Sequence, residues 1–122
     1  MKPVFLGLTH IGQVYSLLWS KKVSTCYVYD YDKNNLLRFK NKKFTQEEPG
    51  LKKIRYNKNR LKFLKNENDL KNFDTIFFTY DTPINNNGYP NIKFIEKRLL
   101  RLIKLNFKRK KKLIITSQVF PG

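Results

Sequence analysis

The sequence predicts an α/β fold, a doubly wound parallel sheet of about five strands with helices between them. Three observations carry this. Short apolar or β-branched runs alternate with segments of helical spacing, the order that a parallel sheet with right-handed crossovers produces. The first run ends at Gly7, and a second glycine, Gly12, opens the segment that follows it. The second run ends in a carboxylate, Asp30.

Residues 3–8, Pro-Val-Phe-Leu-Gly-Leu, form an apolar run of the kind a strand buried on both faces needs. A helix is expected from about Ile11 to Ser20. Residues 25–30, Thr-Cys-Tyr-Val-Tyr-Asp, make the second strand, and Asp32 is placed to cap a helix running to about Asn41 with Leu36, Leu37 and Phe39 as its apolar residues. Residues 42–50 read as a loop closing in Glu48-Pro49-Gly50, with a short helix over Leu51–Tyr56. Leu61–Leu64 is the third strand, and Glu67–Asn72 a brief helix. Residues 75–80, Thr-Ile-Phe-Phe-Thr-Tyr, are a β-branched and aromatic run that reads as a fourth, fully buried strand. The turn at Asn85-Asn86-Asn87-Gly88 uses residue types that tolerate positive φ. Over residues 92–107, Ile92, Ile95, Leu99, Leu102 and Ile103 recur at helical spacing, an amphipathic helix that covers a sheet. Residues 113–119, Leu-Ile-Ile-Thr-Ser-Gln-Val, supply the fifth strand.

A chain of 122 residues fits one domain, and 40% hydrophobic with 15% aromatic residues is enough to build its core despite 29% charged residues. No window approaches the ~18 consecutive apolar residues of a membrane span, and the N-terminus reads as strand and turn rather than as an export signal. These features place the chain in the cytoplasm. The single Cys26 lies in a strand and is expected to be a packing residue.

The net charge of +17 and the run Lys108-Arg109-Lys110-Lys111-Lys112 invite a nucleic-acid reading. Composition explains the charge more simply. There are 20 Lys against 6 Arg, 13 Asn and no alanine, the signature of A/T-rich coding, and the basic residues are spread over the chain rather than gathered in a motif. Nucleic acid is therefore expected to bind only non-specifically and in a salt-sensitive way. The alternative function class is a non-catalytic basic module for nucleic acid or an acidic partner.

The chemistry lies in the first turn. In a doubly wound sheet, ligands bind beyond the carboxyl ends of the strands, and the first helix N-terminus attracts a pyrophosphate. Gly7 and Gly12 stand at the first and third positions of a Gly-x-Gly-x-x-Gly dinucleotide turn, while Thr9 replaces the middle glycine with a side chain whose hydroxyl can still meet a phosphate. Asp30 lies 18 residues beyond Gly12, the spacing of the carboxylate that accepts the adenosine ribose hydroxyls. It disfavours a 2′-phosphate, which points to NAD rather than NADP.

With these residues in place, the chain resembles the NAD-binding domain of the UDP-glucose/GDP-mannose dehydrogenase family. Gly7-Leu8-Thr9-His10-Ile11-Gly12 is similar to the family's Gly-Leu-Gly-Tyr-Val-Gly, and Val28-Tyr29-Asp30-Tyr31-Asp32 to its strand with the ribose acid. Glu48-Pro49-Gly50-Leu51 matches its Glu-Pro-Gly-Leu element. Thr82-Pro83 with Asn87-Gly88-Tyr89-Pro90-Asn91-Ile92 resembles its Thr-Pro and Asp-Gly-x-Pro-Asp-Leu stretch, and Ser117-Gln118-Val119-Phe120-Pro121-Gly122 its Ser-Thr-Val-x-Pro-Gly. The blocks occur in the same order and span nearly the whole chain.

The resemblance implies a Rossmann-type domain, incomplete at its C-terminus, within an enzyme that oxidises a sugar-nucleotide primary alcohol to a carboxylate in two NAD-dependent steps. It implies cofactor-binding roles for Gly7, Thr9, His10, Ile11, Gly12, Asp30, Thr82, Pro83, Ser117 and Gln118. No catalytic residue and no metal ligand is expected within the chain. The family's nucleophilic Cys belongs to a C-terminal domain that lies beyond these residues; Cys26 does not align with it, and His10 falls at a positional Tyr. The chain departs from the family pattern at Thr9, at Asn35, where a basic residue often stands near the ribose, and at Gln118, where a Thr contacts cofactor and water. The chain alone is accordingly expected to be inactive, with the missing sugar-nucleotide-binding domain or subunit as its partner.

Overall fold

The computed structural model describes residues 2–41, 59–105, 107 and 110–116. Strands β1 (Val4–Leu6), β2 (Cys26–Tyr29), β3 (Leu61–Phe63), β4 (Thr75–Phe78) and β5 (Lys112–Ile115) form one sheet in the order β3-β2-β1-β4-β5. Every pairing is parallel. Val4 at the centre faces Tyr27 on one side and Ile76 on the other. The chain winds one way from β1 to β3 and the other way from β4 to β5, so the direction reverses between β1 and β4. Helices α1 (His10–Lys22), α2 (Lys33–Lys40) and α3 (Ile92–Ile103) and a 3₁₀ helix over Glu67–Asn72 make the crossovers. This is the doubly wound parallel sheet that the alternation predicts.

Strand alternation splits the core into two layers. On one face Val4, Leu6, Ile76 and Phe78 pack with Ile95 and Leu102 of α3 and with Leu70 of the 3₁₀ helix. On the other, Phe5, Val28 and Leu61 pack with Leu17 of α1 and Phe39 of α2. Each such side chain contributes ~2 kcal/mol by leaving water. Cys26 belongs to the second layer, fully buried, with its thiol directed at the Ser16 carbonyl. It is the packing residue expected.

Local signals account for the helix boundaries. Asp32 caps α2 by accepting from the Asn34 N–H at 2.9 Å, and the Asn91 side chain caps α3 through the Phe94 N–H at 3.2 Å. Gly88 has φ +83° in the asparagine turn. The segment over Glu67–Asn72 is 3₁₀ rather than α, closed by a reciprocal Asn66–Asp69 capping box. Helix α3 ends at Ile103, short of the expected 107, and Ile92 and Ile103 are exposed at its two ends. At about 100° per residue both lie on one edge of the apolar stripe, whose other positions, Ile95 and Leu102, are the ones the core buries. The expected helix at 51–56, the Glu48-Pro49-Gly50-Leu51 block and residues 117–122 lie outside the described residues.

Candidate functional site

The reversal point between β1 and β4 is where an open α/β sheet forms its ligand crevice. The β1–α1 turn lies there. Gly7 has φ +113°, and a Cβ on it would meet the Tyr80 backbone nitrogen at 2.7 Å and the Tyr80 ring at 2.9 Å. A Cβ on Gly12 would collide with the Gly7 carbonyl and come within 2.7 Å of the Thr79 hydroxyl. Both positions therefore require glycine, the first for backbone conformation and contact, the second for contact alone. The Thr79 hydroxyl donates to the Gly7 carbonyl at 2.7 Å, tying the end of β4 to the turn. Buried Gln13 donates to the Leu8 carbonyl at 2.9 Å and supports the turn from within α1.

Thr9 is the N-cap of α1, in extended conformation, and its side chain makes no capping bond. Its hydroxyl oxygen instead accepts from the Asp81 N–H at 3.1 Å. His10, the first residue of α1, gives its backbone N–H to the Asp81 carboxylate at 3.0 Å. Ile11 and Gly12 complete the first turn of the helix. Thr82 and Pro83 follow Asp81 directly, and the Pro83 carbonyl accepts from Asn91, so the Thr-Pro segment leads from the crevice to the start of α3. Ser117 and Gln118 fall outside the described residues; β5 before them ends at Ile115, and the N–H of the next residue, Thr116, donates to the Phe78 carbonyl at 3.0 Å.

Asp30, at the carboxyl end of β2, is fully buried. Its Oδ2 accepts from the Leu8 N–H at 2.8 Å and from the Asn35 amide at 3.2 Å. Its Oδ1 accepts from the Asp32 N–H at 2.8 Å and from the Tyr80 hydroxyl at 2.7 Å. The Tyr80 oxygen in turn accepts from the Tyr31 N–H at 2.8 Å. Burial, and then the adjacent Asp30 charge, push the Tyr80 phenol far above its ordinary pKa, so it stays a neutral donor. The Arg98 guanidinium lies 4.4 Å from the Tyr80 ring centre and 4.0 Å from that of Phe94. Arg101, bonded to Glu67 at 2.7 Å, lies 4.2 Å over Tyr31.

The structure thus brings Gly7, Thr9, His10, Ile11, Gly12 and Asp30 together around the β1–α1 turn, with Thr82 and Pro83 following directly on Asp81, which bonds to that turn. Sequence reasoning missed Thr79, Tyr80, Asp81 and Gln13. The first three carry one legible signal, their place at or just beyond the carboxyl end of a strand predicted to be fully buried. Among the described residues no His, Cys, Asp or Glu cluster could hold a metal, and no helix is long and apolar enough to cross a membrane.

Comparison with solved structures gives the same architecture. The chain aligns over 100% of its length with 29% of a GDP-mannose dehydrogenase from Pseudomonas aeruginosa, at 21% identity and a TM-score of 0.79. It aligns over 99% of its length with 29% of a UDP-glucose dehydrogenase from Pyrobaculum islandicum, at 20% identity and TM-score 0.79. A UDP-D-ManNAc dehydrogenase from Pyrococcus horikoshii matches at 21% identity and TM-score 0.76, over 100% of this chain and 29% of that one. The chain therefore spans under a third of the length of these structures, and at such identities they establish the fold. No curated protein matches by sequence. The family model of the UDP-glucose/GDP-mannose dehydrogenase NAD binding domain matches residues 1–122. By that match over its whole length the chain belongs to the UDP-glucose/GDP-mannose dehydrogenase family, as its NAD binding domain, and NAD is the cofactor.

Proposed function

We propose that this chain holds NAD for a cytoplasmic nucleotide-sugar dehydrogenase that oxidises the primary alcohol of a sugar nucleotide to a carboxylate. Gly7, Thr9, His10, Ile11 and Gly12 form the pyrophosphate turn, Asp30 is the ribose carboxylate, and Thr82, Pro83, Ser117 and Gln118 border the cofactor. NAD supplies the hydride acceptor, while the chain supplies orientation and electrostatics. The sugar-nucleotide pocket and the nucleophilic Cys belong to residues outside these 122, so the domain alone binds cofactor without turning over substrate.

The observation that carries this reading is the 2.8 Å bond from the Leu8 N–H to Asp30. It locks a positive-φ glycine turn, a helix N-terminus and a strand-end carboxylate into one unit, the set a dinucleotide needs. The turn has the backbone that NAD needs, and it fits NAD once the Asp81 carboxylate leaves the His10 N–H and the Tyr80 hydroxyl leaves Asp30. Calorimetric titration with NAD and NADP at two salt concentrations tests the assignment. Saturable NAD binding, weaker NADP binding and little salt dependence are expected. A folded protein that binds no NAD overturns it, and affinity for RNA or DNA alone, falling steeply with salt, marks the basic-module alternative.

A further inference from the structure

We infer that Tyr80 and Asp81, the residues that lead out of β4, form an internal plug in the dinucleotide site, and that NAD binds by displacing them. The inference rests on the NAD-site reading of the β1–α1 turn and goes on to assign what controls that site.

The plug matches the ligand's chemistry at two points. A ribose hydroxyl bonds the strand-end carboxylate of this fold, and here the Tyr80 hydroxyl does so at 2.7 Å. A phosphate oxygen accepts from the first amides of the helix, and here the Asp81 carboxylate accepts from the His10 N–H at 3.0 Å. An ionised carboxylate has about four acceptor positions. Asp30 has four donors already, from Leu8, Asn35, Asp32 and Tyr80, and no exposed surface. A ribose can reach it only where one of them withdraws. Three of the four come from the β1–α1 turn and the start of α2, which define the site itself. Tyr80 is the one that comes from outside, across β1 from β4.

Space points the same way. The Tyr80 ring lies so close over Gly7 that a Cβ there would be 2.9 Å from it, and Arg98 covers the ring from the α3 side. The ring thus stands against the glycine that makes the tight turn between β1 and α1, beside the helix N-terminus where a pyrophosphate binds. Because Tyr80 and Asp81 are consecutive, one local backbone movement frees both Asp30 and the His10 N–H. The bonds to Asp30 and to the His10 N–H are replaced by like bonds, hydroxyl for hydroxyl and phosphate for carboxylate, so the cost of opening lies in withdrawing the buried Tyr80 ring from the core and its oxygen from the Tyr31 N–H. The apparent affinity is then lowered by the population of the plugged state.

Titration of the whole chain with NAD, for the wild type, Tyr80→Phe and Asp81→Asn, tests the plug, with circular dichroism to confirm folding. Each variant removes one competing charge-assisted bond, and each is expected to bind NAD about 10-fold more tightly. Independently of any variant, NAD added to isotope-labelled wild type is expected to shift the Tyr80 ring signals and the His10 amide together. Wild-type binding with unmoved Tyr80 signals, or with both folded variants binding no more tightly, overturns the plug and leaves the NAD site standing. Absence of NAD binding in all three folded proteins overturns the NAD site and the plug with it. Should Tyr80→Phe fail to fold, the wild-type ring signals decide.

Discussion

The Thr79 hydroxyl and the Gly7 carbonyl lie 2.7 Å apart, joining residues 72 positions apart in the chain. This bond places the end of β4 against the β1–α1 turn, and Gly12 fits into the space between them. A methyl group at Gly12 has backbone on one side and this hydroxyl on the other. Gly12→Ala is expected to cost about 3 kcal/mol, the upper range of overpacking, because backbone cannot move aside as a side chain can. Gly88→Ala meets no atom within 4 Å and pays only for its positive φ, about 1–2 kcal/mol. Urea unfolding of the two variants checks the order.

Asp30→Ala is expected to destabilise the fold as well as to weaken NAD binding. It leaves the Leu8 N–H and the Tyr80 hydroxyl without their buried acceptor, and each orphaned group costs about 1–3 kcal/mol. Asp30→Asn retains an acceptor oxygen and should lose less stability. Urea midpoints separate the structural loss from the binding loss.

Burial pushes the Cys26 thiol up to about 12 from 9.0. The folded protein should resist iodoacetamide at pH 8, and the urea-unfolded protein should react. Rapid alkylation of the native chain contradicts the buried placement.

Tyr80 and Tyr31 are raised as well, chiefly by burial. For a group whose folded pKa exceeds its unfolded value, the unfolded state ionises first as pH rises. Stability from these tyrosines is complete below their unfolded pKa of 10.0 and is lost as pH climbs above it toward the folded values. The Cys26 contribution falls in the same way between pH 9 and about 12. Urea midpoints measured from pH 7 to 11 should be level with respect to these groups up to about pH 9 and then decline, and the Tyr80→Phe variant should decline less.

Among the described residues, β5 is the last strand of the sheet, and Leu113, Ile114 and Ile115 are all exposed. An apolar edge with unpaired backbone groups invites strand addition. The isolated domain is expected to self-associate as concentration rises, and Ile114→Lys to reduce this. Light scattering over a dilution series checks it; a monomer of constant mass at every concentration contradicts it.

The sequence by itself determined the alternation of strands and helices, the need for glycine at positions 7 and 12, and the acid that ends β2. These are local properties: periodicity of apolar residues, the φ that only glycine adopts freely, and a capping carboxylate at Asp32. Spacing was enough to bring Asp30 to the turn, because β1 and β2 are adjacent and joined by a single helix. Only the tertiary structure decided that Tyr80 and Asp81 enter the site. Tyr80 reaches back 50 residues to Asp30 across β1, a contact that exists only once the order β2-β1-β4 is formed. The same is true of Ile92 and Ile103, whose helical spacing fits burial but which stay exposed while Ile95 and Leu102 of the same helix are buried. Periodicity assigns a residue to a face; what lies opposite that face follows from strand order, which no local pattern encodes.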